Sequence, residues 1–461
     1  MSQRLLDLPV LTAPEAQCQH DEPFPQPQPG SGWDWLFCSA LLIGFILLAY
    51  ANIHGALFQP LWMAAESHRW GNLILRPSIL VLALGSVLLV FRTVLWLRYR
   101  PFPSSPLSAA PSLTVVIPAY NEGAMVMHSI ESVVKAFYPP EKLEIFVVDD
   151  GSTDDTWSYI KSAAARHPGR ITTVRLPRNQ GKRTALEVGF RRARGEIIVT
   201  IDSDSVIDRD ALLAITGPFR DLQVGAVSGK VAVYNRSQGI IPRMLHVQYI
   251  LSFDLMRAVE SSYGTVYCCP GALTGYRASV VRQVLDRWMK QTFLGSPCTY
   301  GEDRAITNLI LAAGYNTVYQ RSAHVRTMVP ESYSQLCRMF LRWDRSYIRE
   351  EIHFLRIVWK RPLYSRVISL CDRLITNLRH PVRYASLILL VTLVAGKPLI
   401  IFRVLAAIGM VGLFNMIYYL RTERSKDFLY GIFYSYFAFF GLFWILPYSA
   451  CTLRSRSWLT R

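Results

Sequence analysis

The apolar residues of this chain follow two patterns. Residues 33–53 (WDWLFCSALLIGFILLAYANI) and 74–97 are almost unbroken apolar runs, each long enough to cross ~30 Å of hydrocarbon as a helix. The stretch 383–450 holds about three more runs of that kind. Between them the pattern turns to short apolar bursts that end in polar turns. LTVVIPAYNE, LEIFVVDDGSTDDT, ITTVRLP and EIIVTIDSDS read as buried strands, and helical periodicity fills 124–137, 154–166 and KRTALEVGFRRA between them. Strands alternating with helices predict right-handed crossovers and a parallel sheet.

The expected class is therefore α/β, inserted between N- and C-terminal transmembrane helices. Residues 1–30 (with EPFPQPQPGSG) form a polar, disordered leader, and 31–100 contain two spans. No small-residue cleavage pattern follows the first apolar run, so it reads as a span rather than a signal peptide. Residues 101–350 form the α/β domain, opened by a linker at Pro101, Pro103, Pro106 and Pro111. Residues 351–382 mix basic and apolar positions at helical spacing, as amphipathic helices in the membrane interface do, and 241–256 read similarly. Residues 383–461 hold about three spans and a short tail. Lys397, beside Pro398, reads as a turn between two of those spans.

Charge gives this arrangement a direction. Fifty Lys and Arg against 33 Asp and Glu leave a net charge of +17. No finger, ribbon or base-reading helix accompanies it, so no nucleic acid is expected, and the partner for the excess is the anionic surface of a lipid bilayer. Arg69 alone separates the first two spans, whereas Arg98 and Arg100 follow the second and RTERSK, 421–426, lies between later ones. The positive-inside rule places both basic groups, and the domain between them, in the cytoplasm. This predicts a multi-pass protein of the inner cell membrane. The tail resists the rule. Three C-terminal spans put Arg454, Arg456 and Arg461 outside, so either the span count is off by one or the rule is broken there. The eight cysteines show no C-x-x-C spacing and read as reduced, buried small hydrophobes.

In a parallel sheet, ligands gather beyond the carboxyl ends of the strands. Here those ends are PAYNE, DDGS and DSDS. Asp202 and Asp204 close one strand with only Ser203 between them. Two carboxylates so placed repel unless a cation joins them. Such a pair can hold Mg²⁺ or Mn²⁺, which take oxygen ligands and keep positions for water and substrate phosphates. The ion would help a diphosphate to leave. Asp149 and Asp150 either serve this site or close a turn and cap the next helix. Gly181, Lys182 and Arg183 before a helix suit a phosphate or a solvated face equally. Glu302 and Asp303 begin an amphipathic helix, either as an acidic cap or with a carboxylate acting as general base towards a hydroxyl nucleophile. Arg304 beside them can pair with a carboxylate or a phosphate.

VVIPAYNE, VVDDGSTDDT, NQGKRTAL, TIDSDS, CCPGALTGYR, GEDRAITN and FLRWDRSYIRE occur in this order between membrane spans. Together they resemble the membrane-embedded family 2 glycosyltransferases, hyaluronan synthases and nodulation chitin-oligosaccharide synthases above all, over roughly residues 112–350. The resemblance implies a GT-A nucleotide-sugar-binding domain and inverting transfer from a UDP-sugar donor to a growing glycan acceptor. It implies donor contacts from Tyr120, Glu122, Asp149, Asp150, Lys182, Asp202 and Arg342. Asp202 and Asp204 would hold the metal, Asp204 the more directly. Gly271 and Trp343 would lie at the acceptor, and Asp303 would be the catalytic base. It further implies a processive synthase that polymerises GlcNAc, GlcA or both into a β-linked polysaccharide and extrudes it. The alternative is a non-processive enzyme making short oligosaccharides or glycolipid. Met339 favours the alternative, because the family's Gln stands there and a thioether cannot replace an amide's hydrogen bonds. A nucleotide-sensing domain that has lost its chemistry is disfavoured by the presence of Asp202, Asp204 and Asp303.

Overall fold

Leu113–Ala119 (β1) is buried at every position, as expected of a strand in a sheet covered by helices on both faces. It belongs to a computed structural model that describes residues 33–53 and 59–455; the leader, Arg456 and Arg461 lie outside the described residues. Before it come helices α1 (Trp33–Ile53), α2 (Gln59–Glu66) and α3 (Gly71–Arg98).

After β1, helix α4 (Met125–Val134) leads to β2 (Leu143–Asp149), α5 (Thr156–Arg166), β3 (Ile171–Arg175), α6 (Lys182–Arg192) and β4 (Ile197–Thr200). The chain then forms β5 (Ser205–Ile207), α7 (Ala211–Thr216) and β6 (Val224–Val233). Helix α8 (Ile240–Tyr249) continues through a wide turn, Ile250–Leu255, into α9 (Met256–Ser261). Next are β7 (Thr274–Arg277), α10 (Ala278–Met289), the hairpin β8 (Thr292–Phe293) and β9 (Ser296–Pro297), α11 (Glu302–Ala312) and β10 (Asn316–Thr327). The main sheet has the order β3-β2-β1-β4-β7-β6-β10-β5. Strands β3, β2, β1 and β4 run parallel, as the alternation predicts. β7 opposes both β4 and β6, so the sheet is mixed rather than wholly parallel. This antiparallel insertion places the CCPGALTGYR segment beside the strand that ends in the two aspartates.

Among the described residues five α-helices follow β10: α12 (Tyr333–Ile357), α13 (Leu363–Gly396), α14 (Ile400–Glu423), α15 (Phe428–Gly441) and α16 (Ile445–Cys451). Among the described residues α3, α13 and α14 are long and apolar enough to cross a membrane, and α15 with α16 adds a fourth only if that pair, bent by 46°, is one span. The described apolar part of α1, Trp35–Gly44, is shorter than a span. Where surface helices and a separate span are expected, α13 is one helix of 34 residues with Pro381 inside it. Lys397 sits in the break between α13 and α14, with its N–H donated to the Leu393 carbonyl, as a turn requires.

The two basic groups meet on one side of the helices. The Arg421 guanidinium stands 4.4 Å over the Trp96 ring, joining the end of α14 to the end of α3. Two residues on, Glu423 forms a buried ion pair with Lys230 of β6 at 3.3 Å. This pair fastens a membrane helix to the sheet. Lys230→Met leaves the Glu423 charge buried opposite an apolar chain, which costs about 3–5 kcal/mol. A drop in the melting temperature of the detergent-solubilised protein, partly recovered by adding Glu423→Leu, checks this.

Candidate active site

The first two strand ends use most of their polar groups to build the turns. At the end of β2, Asp149 is fully buried. It accepts hydrogen bonds from the Ser152 N–H and hydroxyl and pairs with Arg175 at 3.1 Å. Asp150 accepts from the N–H groups of Gln180 and Gly181, both at 2.8 Å. Burial raises its pKa, and those two donors pull it part of the way back. Both acids thus perform the turn-closing role, and Asp150 in particular holds the loop before α6. Tyr120 and Glu122 lie half-buried at the end of β1. There the Glu122 and Gly123 N–H groups donate to Thr156 Oγ1 at 2.9 and 2.8 Å, tying that loop to the start of α5.

The loop held by Asp150 sets the position of Lys182, the first residue of α6. Its ammonium bridges two carboxylates, Asp202 at 2.5 Å and Glu302 at 3.2 Å. Burial alone would lower its pKa, but the charges of Asp202 and Glu302 outweigh this and raise it. Lys182 therefore remains a cation, joining the strand-end aspartate to the start of α11. Gly271 lies against the same pair. A Cβ there would stand 2.7 Å from Lys182 Nζ and 2.8 Å from Asp202 Oδ1. Gly271→Ala must therefore displace the ammonium or the carboxylate from its present place. The ammonium is the far end of a flexible side chain and can give way, so donor affinity should fall by about tenfold or less, seen by titrating nucleotide.

Lys182, Gly271, Glu302 and Asp303 line one cavity, with Thr200, Tyr276 and Trp288 in its walls. Glu302 is buried. Burial works to raise its pKa, but Lys182 and the helix N-terminus overcome it and lower the value, with the Arg342 charge adding to the effect. Asp303 shifts the other way: burial raises its pKa and the adjacent Glu302 charge raises it further, against the pull of Arg304 and Lys182. Two neighbouring carboxyls moved in opposite directions can take different roles, with Glu302 as fixed charge and Asp303 as proton acceptor. Cys268 Sγ donates to Asp303 Oδ2 at 3.5 Å. That cysteine is therefore more than the small buried hydrophobe expected. Of the other described cysteines, Cys38, Cys371 and Cys451 are exposed rather than buried.

Asp204 is buried, and its Oδ1 accepts from the hydroxyls of Ser205 and Thr327 at 3.2 and 3.1 Å. No group of three or more His, Cys, Asp and Glu gathers as a metal cage among the described residues. Two hard carboxylates at one strand end nevertheless suit a divalent ion of the kind whose remaining ligands are water and substrate phosphate. Trp343 lies partly buried on α12, its ring 6.1 Å from that of Tyr249 and 5.7 Å from that of Phe340. Met339 is buried, with the Tyr249 hydroxyl 3.9 Å from its sulfur. The sequence presents Glu302 only together with Asp303, as cap or base, and not as the fixed charge that holds Lys182. Its only signal was adjacency to Asp303, and the partner that gives it meaning, Lys182, is remote in the chain.

A mixed sheet of this order, with acidic strand ends and a basic helix start gathered at one edge, is the GT-A type of fold. Residues 114–285 match the family described as glycosyl transferase family 2. An N-acetylglucosaminyltransferase of Azorhizobium caulinodans is 32% identical over 358 residues, 78% of this chain and 89% of the relative. A hyaluronan synthase of Streptococcus pyogenes serotype M3 is 30% identical over 81% of this chain and 88% of its own. Among solved structures, the mannosyltransferase PcManGT of Pyrobaculum calidifontis, in complex with GDP-Man and Mn²⁺, shares the fold. Its TM-score is 0.58 at 23% identity, covering 79% of this chain and 99% of that one. The chain belongs to glycosyl transferase family 2, and it is a glycosyltransferase.

Proposed function

We propose that this protein is a processive, inverting synthase that joins UDP-sugars, GlcNAc and GlcA foremost, into a β-linked polysaccharide and passes the product across the membrane. The observation that carries the reading is the buried cluster in which Lys182 bridges Asp202 and Glu302 beside Asp303, on a helix, α11, that α12 ties to α13 through Asn308–Glu350 and Arg373–Glu351. Relatives named for N-acetylglucosaminyl transfer and for hyaluronan synthesis, similar across the transferase domain and beyond it, support the substrate class.

In this reading the transferase domain is residues 101–350 on the cytoplasmic face, and donor enters at the ends of β1, β2 and β4. The loop bearing Tyr120 and Glu122 and the turn built by Asp149 and Asp150 shape the nucleoside side. Lys182 and Arg342 face the diphosphate with positive charge. The acceptor hydroxyl, set near Gly271 and against the Trp343 face, attacks C1 of the sugar. A C1–O bond forms as the bond from C1 to the diphosphate oxygen breaks, and the hydroxyl proton passes to the Asp303 carboxylate. The diphosphate leaves as an anion, so no second acid is needed. Asp204 and Asp202 would hold a divalent cation, Mg²⁺ or Mn²⁺, which would supply charge neutralisation of that diphosphate.

Membranes carrying the protein, given radiolabelled UDP-sugars singly and in pairs, should incorporate label into polymer with one donor or one pair. No incorporation from any UDP-sugar overturns the reading. Product length on a gel separates the processive enzyme from a non-processive one. The second reading has its own support in Met339, which offers its sulfur to Tyr249 where the family's amide is expected.

A further inference from the structure

Residues 445–455 lie against the transferase domain, not away from it. Ile445 packs with Cys337 and Leu341 of α12, and Ser449 Oγ donates to the Leu341 carbonyl at 3.5 Å. Arg345 donates to Thr452 Oγ1 through Nε and Nη2 at 3.1 and 2.9 Å. The Tyr300 hydroxyl then donates to the Ser455 carbonyl at 3.1 Å. Residues 445–452 thus advance along α12 in parallel register. The start of the bent pair is also held by the transferase domain: Arg236 pairs with Asp427 at 3.9 Å, and Arg243 donates to the Tyr430 hydroxyl at 2.6 Å. Helix α15 has 14 residues, about 21 Å of helix, short of the ~30 Å of hydrocarbon.

Tyr300 leads directly into the acid pair. The buried Arg349 donates to its carbonyl, and the guanidinium lies 5.2 Å from its ring. Gly301 follows with a left-handed φ of 73°, and a Cβ there would fall 2.0 Å from Ser346 Oγ and 2.8 Å from Arg349 Nη2. That turn admits only glycine, and Glu302 and Asp303 come next in the chain.

We infer that α15 and α16 enter and leave the membrane on the transferase side, and that residues 445–455 are a strap that positions the Gly301 turn, and through it Asp303, by way of Tyr300, Arg345 and Arg349. The inference rests on the reading of Asp303 as base. Tyr300, Arg345 and Thr452 are positioning residues, since they act through the turn and not on substrate. The strap also puts Arg454 on the same side as Arg98 and Arg421, where the positive-inside rule requires it.

Two full-length variants and one truncation test the inference. Tyr300→Phe with Thr452→Val removes the strap's hydrogen bonds at nearly constant volume. It should lower kcat about tenfold with donor KM within about twofold. A chain ending at Cys451 should lose more kcat while still binding UDP. Unchanged kcat in the double variant overturns the strap, and so does equal loss of UDP binding and kcat. Independently, Ser455→Cys in a background with Cys18, Cys38, Cys371 and Cys451 replaced by Ala reports sidedness. A membrane-impermeant maleimide should label it only in vesicles that expose the transferase domain, and labelling from the other face overturns the inference. If the wild-type protein transfers no sugar, the proposed function fails while the labelling result stands; if it transfers sugar and the variants match it, the strap alone fails.

Discussion

Asp303→Asn binds nucleotide as the native protein does and transfers almost no sugar, with kcat lower by about 10²–10⁴-fold, the span of a lost general base. The amide keeps the shape of the side chain and its place before Arg304, whose N–H now donates to Asp303 Oδ1 at 2.7 Å, but it cannot take a proton. Single-turnover transfer alongside UDP titration separates the two effects, and normal turnover would remove the assignment. The same residue sets the pH dependence. Burial and the Glu302 charge raise the Asp303 pKa, and a base acts only when deprotonated. The acid limb of kcat/KM therefore lies above the usual carboxylate range. Glu302→Gln removes the neighbouring negative charge, lowers that pKa and moves the limb to lower pH. A limb that stays in place or moves upward would show that Glu302 does not act on Asp303 electrostatically.

Removal of divalent metal has the second large effect. With chelator, glycan synthesis should stop, and Mg²⁺ or Mn²⁺ should restore it. Asp204→Asn should cost about 10²–10³-fold, the equivalent of the several kcal/mol of charge stabilisation a metal supplies. Ion-dependent UDP binding, measured by calorimetry, gives a readout apart from turnover. The ammonium of Lys182 already holds Asp202, so Asp202→Asn should also release Lys182 and loosen Glu302, whereas Asp204→Asn should not. Full glycan output after chelation would end the metal-dependent reading.

How much of this was legible before folding depends on the range of the interaction. β1 could be read from its own residues because both faces are buried and each side chain reports that directly. The strand-end acids could be read because a carboxylate after an apolar burst needs a local reason. The roles within those acids could not. Asp149 and Asp150 build turns through Ser152, Arg175 and the Gln180–Gly181 amides, and only the register of β1, β2 and β3 brings these together. Likewise nothing near Pro381 says that α13 runs through it, because packing along a neighbouring helix can outweigh one lost backbone hydrogen bond.

The sequence by itself determined the apolar runs of membrane length, the α/β alternation, and the presence of Asp202, Asp204 and Asp303 at element ends, because each is a property of a short contiguous stretch. The tertiary structure alone decided that Lys182 bridges Asp202 to Glu302, that Gly271 lies against that pair, that Lys230 anchors Glu423, and that residues 445–455 lie against α12 and Tyr300. These depend on which elements the mixed sheet and the helices bring within hydrogen-bond reach. Charge pairing falls off so steeply with distance and solvent that its outcome is set by that final geometry.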